Sequence, residues 1–458
     1  MAEESITALR DFPSVEELVQ SEGLADVIAL VPRPVAVQTI REVISDSKAR
    51  FVSDGKPQSR ASLESAIRRA LHAAMRLEIS KVINATGIVV HTNLGRAPLS
   101  DSIFEAIKQT VTGYGNIEFD LAGGSRGRRG AACERYLAQL ANAEAGTVVN
   151  NCAAALFLTL NTFALRKGVV ISRGELVQIG GGFRIPDILR RSGARLREVG
   201  STNITALADY EQAIDSNTGM ILKVHKSNFT QSGFTEEVPL KDLVELGRRC
   251  GIPVFNDLGS GVFINTRDLL GYAEPTVQQS VAAGADLTSF SGDKMLGGSQ
   301  AGLIVGRAEL IDRLKKNPIF RTVRVDKITF SIVEKMLTCY MNNTHHTEIA
   351  LWRLLSVPES VLYQRGKSIL AALGNPAGLV IEATRVYIGG GALPQSDIPS
   401  VGIVFSGDYK PNRLLRLFRE CTPPIIGRIE DDRFILDLKA VEESDLPVLV
   451  AAIRALIT

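Results

Sequence analysis

Apolar residues recur at two different spacings along this chain, and the change of spacing divides it. Over residues 35–44 and 63–77 they return every three or four positions, the repeat of one helix face. Pro13-Ser14-Val15-Glu16-Glu17 supplies a helix start, with Ser14 as cap and Glu17 three positions on. Ser53-Asp54-Gly55-Lys56-Pro57 supplies a turn. Residues 1–75 therefore predict a small helical N-terminal domain. From residue 82 the pattern becomes an extended, Gly- and Asn-punctuated segment, 82–99, followed by a helix from about residue 100. Short apolar runs then alternate with helix-length segments. Strands over 147–149, 168–172, 195–199, 220–224 and 253–256 are separated by helices over 131–141, 206–215 and 240–250, one opening at Asn150-Asn151-Cys152-Ala153-Ala154 and one after Pro186. Two more strands, 287–290 and 301–305, flank a Gly-rich turn. This alternation predicts a mostly parallel sheet with helices on both faces, and residues 76–330 read as one large α/β domain. A helical stretch over 331–373, broken at Asn342-Asn343-Thr344-His345-His346, leads into a smaller α/β unit that completes 331–458. Its strands are expected at 379–388, 400–405, 425–429 and 433–438, and its helices at 412–420 and 446–456.

Composition narrows the class. The 458 residues exceed what one core usually holds, and 45% hydrophobic with 22% charged residues is ordinary for a globular protein. Cys133, Cys152, Cys250, Cys339 and Cys421 form no C-x-x-C pair, which argues for reduced thiols. The N-terminus has no basic start followed by an apolar run, and no window reaches the roughly 18 apolar residues of a spanning helix. A cytoplasmic protein without a membrane partner is expected. No H-x-x-x-H, H-E-x-x-H or Cys/His cluster suggests a metal. The net charge of +2 announces no nucleic acid, but its distribution is uneven. Residues 1–32 carry one basic and seven acidic side chains; residues 33–81 carry ten basic ones, including Arg41, Arg50, Arg60, Arg68, Arg69 and Arg76, and five acidic ones. That basic half is either an RNA-binding appendage or a solvated arm used in oligomer packing.

The candidate chemistry centres on Asp286-Leu287-Thr288-Ser289-Phe290-Ser291-Gly292-Asp293-Lys294-Met295-Leu296-Gly297-Gly298. A lysine in a tight Gly-rich turn between two strands can present an amine to an aldehyde cofactor, and Gly292, Gly297 and Gly298 let a ring come close; a hairpin with a solvated lysine is the plainer alternative. Asp257 ends the apolar strand 252–256, 37 residues before Lys294. There it either keeps a pyridine nitrogen protonated or caps the next loop. Small residues after Asn150-Asn151 leave helix-start amides free for a phosphate, and neither a Walker A motif nor G-x-G-x-x-G is present. Gly123 to Gly130 form a flexible loop carrying Arg126, Arg128 and Arg129. Arg96 sits in a turn beside Gly95, and Arg321 and Arg324 lie three apart, so that the pair either converges on a small dianion or faces water. Further polar residues expected at strand ends are Arg173, Glu175, His225 and Asn228.

With Lys294, Asp257 and the small-residue helix start in place, the chain resembles the fold-type-I pyridoxal-phosphate enzymes and, more narrowly, the bacterial selenocysteine synthase family, the L-seryl-tRNA(Sec) selenium transferases. The segments that carry the resemblance are INATGIVVHTNLGRAPLS (83–100), the Asn150-Asn151 helix start, ISRGELVQIGGGFRIPDI (171–188), FNDLGSG (255–261), SFSGDKMLGGSQAGLIVG (289–306) and TPPIIGRIEDDRFILDL (422–438). PSVEELV and VPRPVAVQTIREVI resemble the family's tRNA-recognition domain. The resemblance implies conversion of L-seryl-tRNA(Sec) to L-selenocysteinyl-tRNA(Sec) through a cofactor-bound aminoacrylyl intermediate, with pyridoxal 5'-phosphate as cofactor and selenophosphate as donor. By matching motif, Lys294 would carry the cofactor, Asp257 would face the pyridinium nitrogen, and Asn228 would bond the ring hydroxyl. Asn151, Cys152 and Ala153 would hold the phosphate, with Arg126 of the Gly/Arg loop reaching a neighbouring subunit's phosphate. Asp293 would be the catalytic carboxylate beside the lysine, and Arg96, Arg321 and Arg324 would bind selenophosphate. The chain departs from the family pattern at Cys152, where asparagine is common, and at Ser299, where proline is common. A homo-oligomer, built of dimers and extending to a ring of them, is also implied. A small-molecule ammonia or water lyase of the same superfamily is the alternative, but it needs neither the N-terminal domain nor Arg321 and Arg324.

Overall fold

A computed structural model describes residues 5–74, 79–390 and 392–457; for 181, 183 and 392–396 only the backbone is considered. Arg76 and Leu77, part of the helix expected over 63–77, lie outside the described residues. The chain divides into two compact units, Met1–Lys81 and Val82–Thr458.

The first unit is helical. Helices Val15–Val19, Ala25–Ile28, Arg33–Asp54 and Arg60–Ala74 enclose Leu18, Leu24, Val27, Ile40, Ile44, Leu63, Ile67 and Leu71, while Ser5–Ile6 pairs with Gln58–Ser59. Ser14 Oγ accepts the Glu17 amide at 3.2 Å and so caps the first helix. The long helix stops at Gly55, whose φ of 61° takes the left-handed turn a helix end requires. The uneven charge of the sequence is partly answered within the unit. Arg33 pairs with Glu16 at 2.9 Å, Arg60 with Glu17 at 2.7 Å, and Arg68 grips both oxygens of Asp26 at 2.5 and 2.8 Å. Arg41, Arg50 and Arg69 are exposed and hold no acidic partner among the described residues.

The second unit is built on a seven-stranded sheet: β1 (Ala145–Val149), β2 (Gly168–Ser172), β3 (Arg195–Val199), β4 (Thr218–Val224), β5 (Val254–Gly259), β6 (Leu287–Ser291) and β7 (Gly302–Gly306). The order is β3-β2-β4-β5-β6-β7-β1, and β7 alone runs antiparallel to its neighbours. Near-continuous apolar runs form the inner strands because both faces are covered, whereas the edge strand β3, Arg-Leu-Arg-Glu-Val, is partly exposed. Alternation decides which helix each side chain meets. Val169, Ile171, Met220, Leu222 and Phe255 pack with Leu156 and Leu160 of helix Cys152–Ala164, whereas Val170, Ile221 and Val254 pack with Leu243 and Val244 of helix Leu240–Cys250. The same alternation turns Asp257 toward helix Cys152–Ala164 and Asn256 toward Ser280 on the opposite face. Asp257 does not end its strand as expected. β5 runs on to Gly259, with a register shift against β6 between the two. The Gly/Arg loop is partly ordered, since Ser125–Arg126 pairs with Phe119–Asp120.

A four-stranded antiparallel sheet (Leu379–Gly389, Ala392–Phe405, Arg433–Asp437, Arg428–Glu430) and helices Glu359–Ala372, Pro411–Arg419 and Leu446–Ile457 form the C-terminal part. Ile83–Asn84 pairs in parallel with Ile425–Ile426, and Ile83 and Ala85 are buried in this C-terminal core. The 82–90 segment therefore threads the C-terminal layer before it reaches Arg96. No helix of the described residues is long and apolar enough to cross a membrane.

The turn bearing Lys294 is buttressed from behind. Tyr340 donates its hydroxyl hydrogen to the Leu296 carbonyl at 2.8 Å and accepts the Trp352 indole N–H at 2.6 Å, all of it buried. Tyr340→Phe leaves both partners unsatisfied without water. The expected cost is roughly 2–4 kcal/mol, read as a lower urea midpoint with an unchanged slope.

Candidate active site

Lys294 and Asp257 are 5% and 6% exposed, so both ionisable groups are withdrawn into the second unit. Three donors converge on Asp257 Oδ1: the Cys152 thiol at 3.3 Å, the Ser289 hydroxyl at 3.0 Å and the Gly259 amide at 3.2 Å. Ser289 reaches it because the β5–β6 register sets Asp257 opposite Ser289. Burial pushes the Asp257 carboxyl up; the Cys152, Ser289 and Gly259 hydrogen bonds and the Lys294 charge oppose that rise. Asp257 Oδ2 and Lys294 Nζ make no hydrogen bond among the described residues.

Asn151 caps helix Cys152–Ala164. Its Oδ1 accepts the Ala154 amide at 2.8 Å and its carbonyl accepts the Ala155 amide. The Cys152 and Ala153 amides donate to no described atom and open the positive end of a 13-residue helix. β7 passes directly over this start, and a Cβ at Gly302 would overlap the Asn151 carbonyl. A buried amine, a buried carboxylate with one oxygen free, and two unpaired amides fit a cofactor with an aldehyde, a ring nitrogen and a phosphate.

Beside the lysine, Asp293 accepts the Arg96 guanidinium at 2.7 Å and the Ser291 hydroxyl at 3.1 Å. Arg96 adopts a φ of 67°, unusual for a side-chain-bearing residue, and is held there because its amide bonds the His91 carbonyl while the Ala97 amide bonds the Asp293 carbonyl. Arg96, Asp293, Thr92, Ser299 and Gln300 line a cleft of about 340 Å³. A neighbouring cleft of about 370 Å³ shares Thr92 and is lined by His91, Asn93, Asn228, Tyr387 and Gly390. Asn228 is exposed there and donates to the Gln178 carbonyl at 2.7 Å. His91, given no role by its sequence context, has its pKa lowered by burial, which favours the neutral imidazole. His225 is on the loop after β4, its Nδ1 3.9 Å from the buried Glu274. It lines a larger cleft, about 660 Å³, with Asn256 and Ser280. That cleft is behind the sheet from Asp257 and lacks Lys294. Arg173 pairs with Glu198 at 3.1 Å, and Glu175 is buried against Lys223 at 3.1 Å.

Arg321 and Arg324 have different surroundings. Arg321 is exposed and has no acidic partner among the described residues. Arg324 donates to Glu118 at 2.7 Å, as does Arg129 at 2.8 Å, and Arg126 approaches the other oxygen at 3.3 Å. The Arg129 hydrogen bond, then the charges of Arg129, Arg324 and Arg126, hold the Glu118 carboxyl below its ordinary range. Sequence reasoning missed Glu118; the available signal was a pair of acids, Glu118 and Asp120, just ahead of an arginine-rich loop. The Asn150 amide bonds the Val323 carbonyl at 3.0 Å, which ties the 321–324 segment to the helix start that holds Cys152. Among the described residues no group of three His, Cys, Asp or Glu side chains could hold a metal ion.

This architecture is similar to that of a solved D-glucosaminate-6-phosphate ammonia-lyase, with a TM-score of 0.59 at 19% identity over 82% of this chain and 95% of that one. The likeness is one of fold, the fold-type-I arrangement of pyridoxal-phosphate enzymes. In sequence, the chain is 42% identical to the L-seryl-tRNA(Sec) selenium transferase of Geotalea daltonii over 458 residues, 98% of this chain and 99% of the relative. It is also 42% identical to that of Aquifex aeolicus over 454 residues, again 98% and 99%. The family model for L-seryl-tRNA selenium transferase matches residues 82–442, a span that contains Arg96, Cys152, Asp257, Asp293 and Lys294. The chain belongs to the L-seryl-tRNA selenium transferase family.

Proposed function

We propose that this protein converts L-seryl-tRNA(Sec) to L-selenocysteinyl-tRNA(Sec), with pyridoxal 5'-phosphate carried by Lys294 and selenophosphate as the selenium donor. The observation that carries the reading is the convergence of the buried Lys294 amine, the buried Asp257 carboxylate and the unpaired Cys152 and Ala153 amides beside the Arg96–Asp293 pair. When bound, the cofactor supplies an aldehyde for the lysine and an electron-withdrawing ring for the substrate α-carbon. Asp257 keeps a proton on the ring nitrogen, and the Cys152 and Ala153 amides, with Asn151 holding the turn, bind the phosphate. Lys294 Nζ would take up the α-proton of the seryl group. Asp293, the carboxylate beside the lysine, is the group assigned to assist the departing hydroxyl. Asn228, which now donates to the Gln178 carbonyl, would exchange that bond for the ring hydroxyl.

Arg96 and Arg321 receive the anionic donor, and Arg324 joins them by exchanging Glu118 for it. Arg126 has an 84% exposed side chain, which supports a role at a neighbouring subunit's phosphate. Exposed Phe104, Tyr114, Phe119 and Leu121 lie along the same region and support a homodimer as the smallest assembly. The tRNA is gripped by the first unit, where Arg41, Arg50, Lys56 and Arg69 are exposed cations without an acidic partner among the described residues.

Product analysis after mixing the protein, serylated tRNA(Sec) and selenophosphate tests the whole reading. Selenocysteine on the recovered tRNA is expected; unchanged serine with cofactor bound at Lys294 turns the assignment to a small-molecule lyase. Lys294→Ala should abolish the borohydride-reducible cofactor adduct and lower turnover by a factor on the order of 10³ or more. Arg41→Glu combined with Arg69→Glu should weaken tRNA binding roughly tenfold at low salt and flatten its salt dependence, leaving cofactor binding intact. Unaltered tRNA affinity would remove the RNA role from this face.

A further inference from the structure

Asp257 is surrounded from three elements. Cys152 comes from the head of helix Cys152–Ala164, Ser289 from β6, and the Gly259 amide from β5 itself; Lys294, in the turn after β6, is the one cation acting on it. All three donors reach Oδ1, and Oδ2 accepts nothing from the described residues. Cys152 thus occupies two positions of consequence at once. Its amide opens the helix start, and its sulfur touches the carboxylate assigned to the ring nitrogen.

We propose that Cys152 is a positioning residue for the cofactor ring: its S–H pins Asp257 through Oδ1, so that Oδ2 faces the ring nitrogen, and its weak donor strength leaves the carboxylate basic enough to hold the proton there. The inference rests on the reading of Asp257 given above. A thiol donates less strongly than a hydroxyl or an amide, and the Cys152 sulfur lies 3.3 Å from Asp257 Oδ1. The thiol keeps its proton, because burial first, and then the Asp257 charge, push its pKa well above the ordinary value against the pull of Lys294. It therefore acts as a donor and not as a nucleophile.

The test is the visible absorbance of the Lys294-linked cofactor in the full-length holoenzyme, titrated with pH in the absence of substrate. A ring nitrogen that keeps its proton withdraws charge from the linkage and lowers the pH at which the linkage titrates. Cys152→Ser places a stronger donor on Oδ1 and makes Asp257 a weaker base, so the midpoint should rise by roughly 0.5 pH units. Cys152→Ala removes the pin and should raise the cofactor concentration for half-saturation at least threefold, with Cys152→Ser restoring it. Both variants titrating and binding cofactor as the wild type does would reduce Cys152 to a space-filling residue and overturn the proposal. Asp257→Asn is the control. If it moves the titration while the Cys152 variants do not, the proposal alone fails; if it too is silent, the reading of Asp257 fails and the proposal with it.

Discussion

A carboxylate kept from water is the constraint on which the rest of this structure depends. An isolated buried charge costs several kcal/mol unless nearby donors and an opposite charge offset it. Asp257 meets that demand with three donors and the charge of Lys294, each delivered by a different piece of backbone geometry. Ser289 arrives only in the observed β5–β6 register, because a slip of one residue would turn it to the far face. Gly259 arrives through the shift that follows Asp257 and takes a φ of 65°. Cys152 arrives only if β7 lies close over Asn151, which any side chain at Gly302 would prevent. The sheet order, two glycines and one helix start are thus consequences of holding a single charged group in place.

The same logic extends outward to the Arg96–Asp293 pair. A left-handed Arg96 is a costly conformation, on the order of 1–3 kcal/mol, and it persists because hydrogen bonds fix the chain on both sides of it. The conformation sets a guanidinium against the carboxylate next to Lys294 and leaves it lining an open cleft. Behind the turn, the Tyr340–Trp352 bond fills the position where movement would otherwise be absorbed. The turn that bears Lys294 is braced from the rear, and Asp293 lines the cleft in front of it.

Much of this was legible in the sequence, for physical reasons that also explain the remainder. Strands buried on both faces are continuous apolar runs, so 168–172 coincides with β2, and Lys294 between two such runs was conspicuous; β3 coincides with 195–199 although it is the charged edge strand Arg-Leu-Arg-Glu-Val. Strand ends were less legible: Asp257 was read as terminal although β5 continues through Leu258 and Gly259, because a polar residue after an apolar run looks like an ending. The short helices Val277–Ala282 and Pro318–Thr322 went unread because too few turns are present for a period to show. Contacts between distant segments leave no local trace. Ile83–Asn84 against Ile425–Ile426, the Cys152 thiol on Asp257, and Glu118 among three arginines are all of this kind.

Charge shows most clearly how far a count can mislead. The excess of arginine and lysine after residue 33 reads as one broad basic surface, yet Glu16, Glu17 and Asp26 from the acidic first segment fold back onto Arg33, Arg60 and Arg68. Exposed pairs of this type contribute little to stability, but they cancel field where a phosphate would otherwise be attracted. The electrostatic face of the first unit is then set by cations left over among the described residues, and three of these, Arg41, Arg50 and Arg69, share helices whose buried sides carry Ile40, Ile44 and Ile67. Each helix is thereby divided lengthwise, one side holding the unit together and the other presenting charge. A substitution on one side can be judged separately from the other.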